Sequence, residues 1–86
     1  MPTDMEGQTR VALEQMKKGL DAVGATFADI VTADRFVTDL SDQDSLNRVW
    51  GEYFGENKPT TTTIQIVQLA TDPRCLVEIN AVAVID

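Results

Sequence analysis

Residues 59–85 read Pro59-Thr60-Thr61-Thr62-Thr63-Ile64-Gln65-Ile66-Val67-Gln68-Leu69, a six-residue turn, then Leu76-Val77-Glu78-Ile79-Asn80-Ala81-Val82-Ala83-Val84-Ile85. Two β-rich runs flank a turn that contains Asp72 and Pro73, which reads as a hairpin with a longer loop. The second run is apolar at nearly every position, so it is expected to be a central strand covered on both faces. Glu78 and Asn80 are two apart and therefore share a face. A carboxylate on such a strand is the chemical anomaly of the sequence.

The totals narrow what surrounds this stretch. A chain of 86 residues allows one small domain, read here as residues 1–86. A hydrophobic fraction of 43% argues against disorder of the whole chain. The formal net charge is −7, and the seven basic residues are scattered rather than gathered in a stripe. Phosphate affinity rests on clustered Lys and Arg, so neither nucleic acid nor an acidic membrane surface is an expected partner. The sequence has no His and one Cys, Cys75. That removes the commonest general base and metal ligand, an internal disulfide and a structural zinc site. No cofactor and no metal are expected. No signal peptide or long apolar span is evident, so the expected location is the cytoplasm.

Working back toward the N-terminus, Ser41 or Asp42 is read as the cap of a helix. Leu46, Val49, Trp50 and Tyr53 lie on its apolar stripe, widened by Phe54, and Gly55 ends it. An aromatic stripe at this spacing is read as core rather than a cofactor platform. Ile30 to Thr38 reads as a strand. Val31, Ala33, Arg35 and Val37 share one face, and Ile30, Thr32, Asp34, Phe36 and Thr38 share the other. Neither face is cleanly apolar, which suits a strand with one face partly wet or in an interface. Before it, residues 4–23 form a helix with a stripe of Thr9, Ala12, Leu13, Met16, Leu20 and Val23. Thr3 and Glu6 fit a capping box, and Gly24 fits a left-handed stop. Close packing on a sheet would be one reason for Gly19 inside it.

The order is helix, strand, helix, strand, strand: an α+β fold. The first two strands can run parallel through the intervening helix, and the last two are expected to run antiparallel. Two helices then cover one face of a mixed sheet, and oligomerisation is the economical cover for the other.

This pattern resembles the reactive intermediate deaminase family, RidA or YjgF, also described as L-PSP endoribonucleases. The similar pieces are Gln8 with the helix ending Leu20-Asp21-Ala22-Val23-Gly24, Asp29-Ile30-Val31 through Phe36-Val37-Thr38-Asp39-Leu40, Asn47-Arg48-Val49-Trp50 with Tyr53-Phe54, Pro59 to Leu69, and Leu76 to Ala83. The resemblance implies a chorismate-mutase-like fold, shortened at the N-terminus by the strands that precede the family's first helix. It also implies a homotrimer with pockets for a small carboxylate or imine metabolite at subunit interfaces. The implied chemistry is hydrolysis of enamines or imines, such as 2-aminoacrylate, to keto acids and ammonia without metal or organic cofactor. By resemblance Glu78 positions or activates water, and Thr61, Thr62 and Asn47 line the substrate site. The family's Pro-Ala-Arg corresponds to Pro59-Thr60-Thr61, so Thr61 stands where an Arg would hold the carboxylate. A hydroxyl lacks the charged fork. Arg35 and Arg74 are the candidate substitutes.

Each residue also has a plainer reading. Glu78 can be a solvated carboxylate or the ion-pair partner of Arg35 or Arg74. Thr61–Thr63 can be an ordinary strand start. Asn47 can bridge backbone groups. Cys75 reads as a turn or buried cysteine rather than a reactive thiol. Asp42, Asp44, Glu52 and Glu56 read as a solvated helix face, without the ligand order of a calcium loop. Three functions follow. The first is a divergent family member that binds a small metabolite with weak or absent deaminase activity. The second is an active deaminase with a substitute cation. The third is a non-catalytic trimeric interaction module. A ribonuclease is disfavoured by the charge of −7 and the lack of His.

Overall fold

The computed structural model describes residues 2–56, 58–69 and 74–85. Helix α1 (Met5–Ala22) leads through a short 3-10 turn into strand β1 (Ile30–Val37). A second 3-10 turn precedes helix α2 (Gln43–Phe54), and strands β2 (Thr60–Gln65) and β3 (Val77–Ala83) follow. The α+β order agrees with the sequence reading. The strand pairing agrees only in part. The sheet runs β2-β1-β3, with β1 parallel to β2 and antiparallel to β3. The two C-terminal strands therefore do not form a hairpin; β1 lies between them. The expected turn at Asp72 and Pro73 falls outside the described residues. Glu78 sits on an edge strand rather than a central one.

Both helix ends of α1 have clear causes. Asp4 is the N-cap, and its Oδ1 accepts the Gly7 N–H at 3.0 Å. This replaces the expected Thr3–Glu6 box; Glu6 instead pairs with Arg48 on α2 at 3.2 Å. A carboxylate cap answers both the free N–H groups and the positive helix end. At the other end Gly24 takes φ +75, the Gly24 N–H reaches the Asp21 carbonyl at 3.2 Å, and the Ala25 N–H reaches the Leu20 carbonyl at 2.9 Å. These two bonds form a Schellman motif. Gly19 is exposed, and a Cβ there would meet nothing within 4 Å, so sheet packing does not explain it.

The core lies between the helices and one sheet face. Leu13 on α1, Val37 on β1, and Leu46 and Val49 on α2 are fully buried. Each such side chain contributes about 1.5–3 kcal/mol relative to exposure. Trp50 stacks on Phe54, and Phe27 meets Phe54 and Tyr53 edge-on, closing one end of this layer. Gln8 is buried as well. Its Nε2 donates to the Pro2 and Arg74 carbonyls at 2.9 and 3.0 Å, and its Oε1 accepts the Leu76 N–H at 2.7 Å. It pins the entry to β3 against α1.

Strand β1 departs from simple alternation at its start. The pairing with β3 shifts between Ile30 and Thr32, so Val31 bulges outward and is 50% exposed while Ile30 turns into the core. Ala33, Arg35 and Val37 then face the helices. The opposite face is open. Its cross-strand rows are Thr60–Thr32–Val82, Thr62–Asp34–Asn80 and Ile64–Phe36–Glu78. Val82 is 56% exposed, so β3 is covered on one face only within the chain. Among the described residues no helix is long and apolar enough to cross a membrane.

Candidate functional site

Arg35 is the one charged residue of β1 that alternation aims at the helices. It is buried, 5% exposed, beneath α2. Its guanidinium lies 5.0 Å from the centre of the Trp50 ring, within cation–π range. Nε and Nη2 donate to Thr63 Oγ1 at 2.9 and 2.7 Å, and Nη1 donates to Asn47 Oδ1 at 2.8 Å. Thr63 is its register partner on β2, so the parallel pairing itself delivers that hydroxyl. Asn47 comes from one turn of α2 before Trp50, on the side facing the β2 edge.

No carboxylate among the described residues pairs with Arg35. The described ion pairs, Arg10–Glu52 and Arg48–Glu6, lie elsewhere. Burial therefore lowers the guanidinium pKa with nothing opposing it. The group remains a cation, because arginine does not deprotonate in proteins. Of the five N–H donors in a guanidinium, the three bonds above leave one on each terminal nitrogen. That pair suits a carboxylate or another planar oxyanion.

Arg35 borders a cleft of about 340 Å³ between α2 and the start of β2. Arg35, Asn47, Trp50, Lys58, Pro59 and Thr61 line it. Its charged residues are both basic, in a chain of net charge −7. Thr61 Oγ1 donates to the Pro59 carbonyl at 2.9 Å, which orders the rim.

Of the candidates from sequence, Asn47 and Thr61 meet in this cleft. Thr62 and Glu78 do not. Thr62 pairs with Asp34 and Glu78 with Phe36, so both project from the open face of the sheet, and both are exposed. Within one chain the sheet separates Glu78 from Arg35, and the two form no ion pair. Lys58, in a turn, and Trp50, on a core stripe, carry no site signal in the sequence. The available signal was Arg35 itself, a charge at an inward position between Ala33 and Val37. Cys75 is half-buried. Among the described residues no three His, Cys, Asp or Glu side chains converge as metal ligands.

Comparison with known proteins adds a family to this geometry. The model of the family described as Endoribonuclease L-PSP matches residues 1–85. The chain is 36% identical over 80 residues to RutC family protein PH0854 of Pyrococcus horikoshii, covering 93% of this chain and 62% of that protein. It is 36% identical over 85 residues to "Putative reactive intermediate deaminase TdcF" of Escherichia coli, covering 98% of this chain and 66% of TdcF. The chain thus spans less than two thirds of these curated relatives. Among solved structures, Rv2704 of Mycobacterium tuberculosis, a member of the YjgF/YER057c/UK114 family, superposes with a TM-score of 0.93 at 35% identity, covering 99% of this chain and 71% of that one. Escherichia coli TdcF with bound serine superposes with a TM-score of 0.89 at 34% identity, covering 100% and 68%.

Proposed function

This chain belongs to the endoribonuclease L-PSP family, the Rid/YjgF proteins, and on that premise we propose that it binds a small carboxylate metabolite in the Arg35 cleft at a subunit interface, with weak or absent enamine or imine deaminase activity. The observation that carries this reading is the buried Arg35, oriented by Asn47 and Thr63 and unmatched by any described carboxylate. A buried cation without an anion is costly, and a bound carboxylate offsets that cost. The serine in the TdcF structure is a small carboxylate of this kind. By resemblance Thr61 stands where the family carries an arginine; Arg35, lining the same cleft, takes over that charge.

The assembly is a homotrimer in this reading. The open sheet face, with Ile64 44% and Val82 56% exposed, is the surface that needs cover. Imine hydrolysis adds water to the C=N carbon and expels ammonia, leaving a keto acid. In one chain Glu78 and Arg35 lie on opposite sides of the sheet. A reaction that uses both therefore takes Glu78 from a neighbouring subunit, and the relocated cation shifts the substrate relative to that carboxylate. This is the physical reason for expecting weak turnover. The presence of Arg35 and Thr61 in one cleft also supports a second reading, an active deaminase with Arg35 as its carboxylate anchor.

Calorimetry with pyruvate and serine, on the wild type and Arg35→Met, tests the binding. Arg35→Met is expected to weaken binding about 30-fold or more, the lower end for losing a buried charged hydrogen-bond partner. Its fold is expected to survive, because an apolar side chain of similar length removes a buried charge without leaving another. Equal binding by both proteins overturns the reading. Hydrolysis of freshly generated 2-aminoacrylate, with Glu78→Ala as control, separates the two activities. Rapid turnover that depends on Glu78 replaces the first reading by the second.

A further inference from the structure

Arg35 is not the only cation of the cleft. Lys58 lines it too, at the exposed rim, while Arg35 lies at the buried end. No described carboxylate pairs with Lys58, and no Asp or Glu among the described residues lines the cleft. Two cations lining one cavity, in a chain otherwise strongly acidic, are an arrangement that a monocarboxylate matches at one end only. The rest of the lining is apolar, from Trp50 and Pro59, or neutral and polar, from Asn47 and Thr61.

We propose that the cleft selects a metabolite with two acidic groups, a carboxylate held by Arg35 and a second acidic group, carboxylate or phosphate, held by Lys58. The proposal rests on the carboxylate-binding reading above and adds the class of ligand to it. Arg35, rigid and buried, supplies most of the affinity. Lys58, flexible and exposed, supplies the discrimination between diacids and monoacids, because its ammonium is a point charge that reaches an oxyanion without demanding a fixed geometry.

Succinate and succinamate differ only by one carboxylate replaced by an amide, so they isolate the second contact. Calorimetry at low ionic strength on the wild type is expected to show succinate about 3- to 5-fold tighter than succinamate, the upper part of the range of an exposed ion pair. That preference is expected to shrink as salt rises, since an exposed pair is screened. Lys58→Gln is expected to weaken succinate more than succinamate, so that the preference between them disappears. Arg35→Met is expected to weaken both. 3-Phosphonopropionate in place of succinate tells whether carboxylate or phosphate is preferred at the Lys58 end. Equal affinities on the wild type, or a preference that survives Lys58→Gln, overturn the proposal while leaving the carboxylate reading intact, provided succinamate still requires Arg35. Failure of every acid to bind the wild type overturns both.

Discussion

The two faces of β1 are made from alternate residues of one strand, and they have opposite fates. Ala33, Arg35 and Val37 lie beneath two helices, and each is 5% exposed or less. Asp34 on the other face is exposed, and Thr32 and Phe36 are only half-buried. The helix side is finished within a single chain, down to a cation with its hydrogen bonds arranged. The open side has apolar positions at Phe36, Ile64 and Val82 with no helix over them among the described residues. The difference shows where self-sufficiency ends. Packing on the helix face is what stabilises the fold, and the proposed assembly rests on the open face.

The largest expected effect breaks the finished face. Leu46 is fully buried, so Leu46→Ala is expected to lower the unfolding free energy by about 2–5 kcal/mol in chemical denaturation. Ile64→Ser on the open face is expected to change the stability of the isolated subunit by only about 0.5 kcal/mol. Comparable losses at both sites would mean that the open face also supports the fold. An intermediate effect sharpens the contrast. Val82→Lys places a charge among the exposed apolar positions, where burying it against another copy would carry an unpaired charge. Light scattering is expected to show a smaller species than the wild type, with an unchanged circular dichroism spectrum. A wild-type and a variant of the same mass would remove the open face as the site of assembly.

The smallest effect lies at the junction of the two faces, where the chain leaves β1. Asp39 accepts the Ser41 hydroxyl and N–H at 2.7 and 2.9 Å, and these bonds hold its carboxyl below the ordinary range, the hydroxyl contributing most. Its folded pKa lies below the unfolded value. The stabilisation is therefore present above the ordinary carboxylate pKa and lost as pH falls through the lowered one. Asp39→Asn is expected to lower Tm slightly at neutral pH, with the difference from wild type closing in strong acid. A difference that persists there would assign the effect to packing rather than charge.

Much of this architecture was legible in the residues. The apolar stripes gave both helices, and Gly24 and Gly55, with φ +75 and +58, stop them where expected. A helix between Val37 and Thr60 implied the parallel pairing of β1 and β2. The β3 partner was not legible, because nearness along the chain favours a hairpin while pairing is decided by which strand completes the core. β1 carries the deepest apolar face and takes both neighbours. The bulge at Val31 was equally hidden, since a two-residue alternation has no mark for an inserted residue. In the site, Asn47 and Thr61 were recognised by pattern, and Arg35 was one of two candidate cations. Its stacking on Trp50 and its fork toward Thr63 depend on a crossing of α2 over the sheet that no local spacing encodes. The separation of Glu78 from the cleft follows from strand parity only after the register is known.

Gln8 carries a consequence for how the chain reaches this state. Its two bonds to Arg74 and Leu76 span 66 and 68 residues. Contacts of that separation close a long loop, and such closures slow folding more than they weaken the folded state. On the ribosome α1 emerges before β3, so the Gln8 bonds to Arg74 and Leu76 form only once β3 is out. β3 is then seated by a residue from α1. During that interval one edge of β1 has no partner, which makes it the period of greatest exposure to pairing with another chain.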